Sequence, residues 1–173
     1  MKRFLICLPL LLASTTTLAD KSAGEMVDDT WLHTKVKTEL VGYGSANINI
    51  EVYHGHVQLA AFVATDVEKQ AILDQVHAMD DVVEVHDQLF VVDRDRSAGE
   101  RLDDGVTASK VKAALADSDL GRGFNVNVEV NKGTVLLSGW VDDKDERGTA
   151  LTVAETVDTV VEVLNGMDLK PAD

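Results

Sequence analysis

This sequence says most of what it has to say twice, and the repetition limits its fold more than any single motif does. Asp28-Asp29 returns as Asp103-Asp104, and Thr34-Lys35-Val36-Lys37 returns as Ser109-Lys110-Val111-Lys112. Asn47-Ile48-Asn49-Ile50-Glu51-Val52 returns as Asn125-Val126-Asn127-Val128-Glu129-Val130. Val82-Val83-Glu84-Val85 comes back unchanged as Val160-Val161-Glu162-Val163. Order holds throughout, and spacing holds on either side of an insertion of about three residues near Asp119, so the two copies must share one fold.

Each copy reads in the same way. Leu32, Val36 and Leu40 recur at helical spacing, and Asp28 and Asp29 stand where a helix start favours negative charge. Ile48, Ile50 and Val52 then alternate, His54-Gly55 supplies a turn, and Val57, Leu59 and Val63 alternate again, which is a β-hairpin. Val67, Ala71, Ile72, Val76 and Met79 predict a second helix, and Val83, Val85, Leu89 and Val91 a third strand. The expectation is an α+β chain of two αββαβ modules, each a small three-stranded sheet with two helices on one face. The modules are placed at 25–92 and 103–170, with the charged stretch 93–102 as linker. Units of about 65–70 residues lie near the lower limit for folding alone, so the two domains are expected to pack on each other.

The first nineteen residues read as a signal peptide. Lys2 and Arg3 precede an apolar run from Phe4 to Ala13, and Thr17-Leu18-Ala19 places cleavage before Asp20. Cys7 lies inside the apolar run behind Ile6, which does not suit a lipid attachment site; a periplasmic protein, not a lipoprotein, is expected, with no transmembrane anchor. Loss of this leader leaves 14 basic residues against 30 acidic ones and no cysteine. So acidic a chain repels nucleic acid and disfavours anionic lipid surfaces. It also has no thiol for disulfide or nucleophilic chemistry.

No catalytic set, cofactor or metal site is expected. His33, His54, His56, His77 and His86 all fall in the first copy, but two flank a turn and two lie on different helices, whereas zinc needs three or four converging ligands. Gly121-Arg122-Gly123 precedes a strand and not a helix, so it is no phosphate cradle. No serine elbow is present. The outward sheet faces are more informative. If Val135, Leu137 and Val141 face the helices, Leu136, Ser138 and Trp140 face away, and so do Gln58, Ala60 and Phe62 in the first copy, with Phe90 close by. These faces either cover one another or offer an apolar patch to an acyl chain or an unfolded client. Trp31 on the first helix is expected in the first core or in the seam between domains.

The stretch Gly133-Thr134-Val135-Leu136-Leu137-Ser138-Gly139-Trp140-Val141, with Val160, Val163 and Asn165 after it, resembles the BON domain of bacterial envelope proteins. The first copy keeps Gly55 but has Ala61 in place of the second glycine and Asp87 in place of the asparagine. The resemblance gives Gly55, Gly133, Gly139 and Asn165 structural roles. It implies a non-enzymatic factor of envelope maintenance under osmotic or related stress, with envelope proteins or phospholipid as partners and chaperone-like binding as the preferred mechanism. Trp140, Leu136, Phe62, Phe90 and Trp31 are the candidate contact residues. A hydrolase or metal-dependent enzyme is the alternative of another class, and a structural partner of an envelope complex a third.

Overall fold

The computed structural model describes residues 23–43, 47–118, 120 and 125–171; the signal segment, Cys7 and Gly121-Arg122-Gly123 lie outside them. Helix α1 (Ala23–Glu39) leads through a single 3-10 turn (Leu40–Tyr43) to strands β1 (Asn49–Tyr53) and β2 (His56–Val63), helix α2 (Asp66–His77) and strand β3 (Glu84–Val91). The second module repeats this as α3 (Ala98–Ala116), β4 (Asn127–Asn131), β5 (Thr134–Val141), α4 (Lys144–Glu155) and β6 (Glu162–Leu169). The architecture is the α+β tandem that the repeat implies. Each module has its own three-stranded sheet, in the orders β1-β2-β3 and β4-β5-β6. The hairpins β1–β2 and β4–β5 are antiparallel, and the third strand joins parallel to the second after its crossover helix.

Alternation fixes which side of each sheet is core. Val57, Leu59, Ala61 and Val63 of β2 join Leu32, Val36, Leu40, Ile72 and Val76 from the helices in the first cluster. Val135, Leu137 and Val141 of β5 do the same with Val111, Leu115, Ala150 and Ala154 of α3 and α4, together with Met167 of β6. Trp31 is a correction: it is 53% exposed, because Leu32, Val36 and Leu40 take the inward stripe of the helix. Its ring is covered on one side by the Lys35 ammonium, 4.9 Å from the ring centroid.

The helix starts are set by side-chain caps. Ser97 Oγ accepts the Glu100 N–H at 3.2 Å while the Glu100 carboxylate accepts the Ser97 N–H at 2.7 Å, a reciprocal box that begins α3 inside the stretch expected as linker. Thr65 caps α2, with Oγ1 accepting the Glu68 N–H, and Asp143 caps α4 by accepting from Asp145 and Glu146. The short connection left is tied down on both sides. Arg94 pairs with Glu68 of the first module at 3.4 Å, and Arg96 donates to Asp104 at 2.8 Å and to the Val130 carbonyl at 2.9 Å in the second.

The repeated aspartate pair is also corrected. Helices α1 and α3 begin about a turn earlier than expected, and the second aspartate of each pair is buried and serves the hairpin. The Asp29 carboxylate accepts the N–H groups of His54 and Gly55 at 3.0 and 3.1 Å. Asp104 accepts those of Lys132 and Gly133 at 3.1 and 3.0 Å. Both turn residues have positive φ in each copy, 50° and 77° in the first, 51° and 79° in the second, which is the type I′ geometry that suits a twisted hairpin. With two adjacent amides turned to one side, a carboxylate on the helix can hold both. The motif thus locks helix to hairpin.

Candidate functional site

The two outward sheet faces meet. Ala60, Phe62 and Leu136 form a buried cluster of their own, with Phe90, Val92 and Leu164 packed against it. Close approach is possible because β6 carries Gly166 where β3 carries Gln88: a Cβ at Gly166 would lie 2.8 Å from Leu136 Cδ1 and 3.4 Å from Gln88 Cβ. Of the candidate contact residues, Phe62 and Leu136 are fully buried in this seam, Phe90 and Trp140 are partly buried along it, and Trp31 alone stands on the outer surface.

The seam is only partly apolar. Asn49 Nδ2 donates to Ser138 Oγ at 3.1 Å, and Asn127 Nδ2 to Glu51 Oε1 at 2.9 Å. Asp168 of β6 accepts from Gln58 at 2.7 Å and from Gln88 at 3.2 Å, and Gln58 Nε2 also lies 3.3 Å from the Gly139 carbonyl. Gln58 Oε1 and Trp140 Nε1 are buried without a hydrogen-bond partner. Each such atom costs roughly 1–3 kcal/mol against its hydrated state. Glu129 of β4 adds a further cost. Burial pushes its carboxyl up to about 7, although Arg94, Arg96 and the Phe62 N–H pull the other way. The interface therefore buries apolar side chains beside a hydrogen-bonded polar frame in which Gln58 Oε1, Trp140 Nε1 and the Glu129 carboxyl alone would be better solvated with the modules apart.

The copies differ at this surface. Gln58, Phe62, His86, Gln88 and Phe90 in the first module stand where the second has Leu136, Trp140, Leu164, Gly166 and Asp168. The differences are complementary: three polar groups of one module converge on one carboxylate of the other. The two departures from the BON pattern have separate outcomes. Asp87 Oδ1 accepts the Leu89 N–H at 3.0 Å, as Asn165 Oδ1 accepts the Met167 N–H at 3.1 Å, so the aspartate keeps the turn-back bond of the asparagine. Gly139 has φ of 131°, whereas Ala61 does not share that conformation, so the two strands differ in backbone at this position.

At one end of the seam Trp140 lies edge-on to His86, with ring centroids 4.8 Å apart, and to His56 at 6.4 Å; Tyr53 is 6.1 Å away. His56 and His86 come from neighbouring parallel strands, their rings 5.6 Å apart, with Glu84 beside both. The sequence had suggested that the histidines lie apart. That holds for His33 and His77, on α1 and α2, and fails for this pair. The signal that could have found it was the strand pairing, since the offset of β2 on β3 sets His56 opposite Glu84 and Gln58 opposite His86.

No helix of the described residues is long and apolar enough to cross a membrane. The sequence profile of the BON domain matches residues 28–93 and again residues 103–171. Osmotically-inducible protein Y of Escherichia coli (strain K12) is 30% identical over 151 residues, covering 85% of this chain and 75% of that protein. Among solved structures, CdsD, a structural protein of the type III secretion system of Chlamydia trachomatis, overlaps 86% of this chain and 93% of its own at 18% identity and a TM-score of 0.32. A structure of the CdsD C-terminal domain overlaps 80% of this chain and 64% of its own, at 14% identity and the same score.

Proposed function

This chain belongs to the BON-domain family as a tandem pair, and from that premise we propose that it is an exported, non-enzymatic envelope protein of the osmotic-stress response that works by binding. The premise is supported by the double match and by the likeness to a protein named for osmotic induction. The leader-like N-terminus and the excess of acidic residues support a soluble periplasmic location for BON units at 25–92 and 103–170.

The mechanism we favour is chaperone-like capture of envelope proteins, with the seam as the binding surface. One observation carries it: the apolar surface that each sheet turns away from its own core is covered by the other module, through an interface with buried unpaired polar atoms. Separation of the modules hydrates those atoms and Glu129 and uncovers Phe62, Phe90, Leu136 and Trp140 for an unfolded segment. Phospholipid contact is the second reading. Its support is Trp31 with Lys35 on α1, matched on α3 by exposed Val106 and Lys110, a basic and apolar pair at equivalent places on both helices. The overall acidity weighs against it.

A reversible lock tests the first mechanism. In Asn49→Cys/Ser138→Cys the cysteines replace two side chains that already meet across the seam, Asn49 Nδ2 lying 3.1 Å from Ser138 Oγ. The oxidised protein should lose its suppression of aggregation of an unfolded outer-membrane protein and regain it on reduction. If the oxidised and reduced forms protect equally, the seam is not the client site. Flotation on anionic vesicles that is lost in Trp31→Ala, with aggregation unaffected by the protein, would favour the lipid reading instead.

A further inference from the structure

We propose that His56, Glu84 and His86 form a binding site for one divalent transition-metal ion of the zinc class. His56 opens β2, and Glu84 and His86 lie two residues apart on β3, so all three side chains project from the same face of a parallel strand pair. His56 Nδ1 is 3.4 Å from His86 Nε2 and 3.3 Å from Glu84 Oε2, and His86 Nε2 is 3.7 Å from that same oxygen. A tetrahedral ion with bonds of about 2.1 Å requires ligand atoms about 3.4 Å apart, so the three atoms already sit close to three corners of one coordination shell. Two imidazoles and a carboxylate suit zinc, nickel or copper and not calcium or magnesium.

The surroundings have the form of a built site. His86 uses one ring nitrogen toward the cluster, and its other nitrogen, Nδ1, faces Asp168 Oδ2 of the second module at 3.6 Å. A carboxylate behind a ligating histidine fixes its tautomer and orientation. Trp140 closes the side toward the seam, while the Glu84 side chain, 60% exposed, leaves solvent access for entry and for a water at the fourth corner. The histidine side chains are 19% and 21% exposed, enough burial to hold their rotamers. The second module has Thr134, Glu162 and Leu164 at the equivalent positions, so the site belongs to the first copy alone.

All the ligands come from the first module and the supporting Asp168 and Trp140 from the second. An ion held this way binds the closed pair of modules more tightly than the separated one, and so favours closure. This coupling rests on the seam reading above; the metal site itself does not.

The test uses purified protein freed of metal and titrated with Zn²⁺ against a chromophoric chelator, with Co²⁺ absorption as a second readout. One ion per chain is expected. His56→Ala and His86→Ala should each weaken binding by about 100-fold or more, and Glu84→Gln, whose side chain is 60% exposed, by at least tenfold. His33→Ala should titrate as the parent does. Asp168→Asn should weaken binding by about 10–100-fold as a positioning residue, with the Co²⁺ spectrum still that of nitrogen and oxygen ligands. Wild-type affinity in the His56, His86 or Glu84 variants overturns the site. Wild-type affinity in Asp168→Asn overturns the coupling. Neither readout depends on a client, so failure here is distinct from failure of the chaperone mechanism.

Discussion

Glu129→Gln should make the protein more stable near neutral pH and leave it nearly unchanged in mild acid. Glu129 lies on β4 opposite Leu136, and its carboxyl is raised from 4.5 to about 7, first by burial, against the pull of Arg94, Arg96 and the Phe62 N–H. Its folded-state pKa therefore lies above the unfolded one. Between pH 4.5 and 7 the folded protein holds the proton that the unfolded chain has lost, so the contribution of this group to stability falls as pH rises across that window and is constant above it. Two and a half pH units correspond to roughly 3 kcal/mol. An uncharged amide of the same shape does not incur that penalty. Urea unfolding of both proteins at pH 5 and pH 8 isolates the effect, because every other titrating group cancels in the difference between them. The variant should gain roughly 2–3 kcal/mol over the parent between the two pH values. A gap between the two proteins that stays the same at both pH values, or a variant favoured at pH 5, would refute the assignment of a desolvated carboxyl to this position.

Two further outcomes follow from the helix-to-hairpin lock. Asp104→Asn should lose roughly 2–3 kcal/mol, because a charged acceptor for two turn amides and for Arg96 becomes a neutral one; its neighbour Asp103, exposed on the same helix, should tolerate the same change within about 0.5 kcal/mol in parallel denaturant melts. Gly133→Ala should cost about 1–3 kcal/mol, since φ is 79° there and a Cβ would sit 2.7 Å from Val161 Cγ2. A fall in Tm of several degrees is then expected, and an unchanged Tm would mean that the turn relaxes at no cost.

The sequence carried the fold because each fold-determining signal was local. Alternation at Ile48, Ile50 and Val52, the helical spacing of Leu32, Val36 and Leu40, and the turn residues at 54–55 each act within a few positions, and their recurrence in the second copy removed the remaining ambiguity. The expectation that Gln58, Phe62, Leu136 and Trp140 face away from the helices rested on the same period of two. The repeat also showed Asp28-Asp29 as a motif, but not what it does, because the amides that Asp29 accepts lie 25 and 26 residues further on.

What duplication alone determined is therefore two equal modules, since pattern and turn chemistry are properties of a short stretch of chain. The tertiary structure decided how the two differ and what they do to each other. Gln58 meets Asp168 across 110 residues and Gln88 meets it across 80, pairings for which no periodicity exists. Trp31 was left in solvent because three aliphatic residues filled the inward stripe first, and His56 met His86 because strand offset, not sequence distance, sets neighbours in a parallel pair. A sheet face is legible in a sequence as an alternation; the surface that covers it is a contact between distant residues, and only packing selects it.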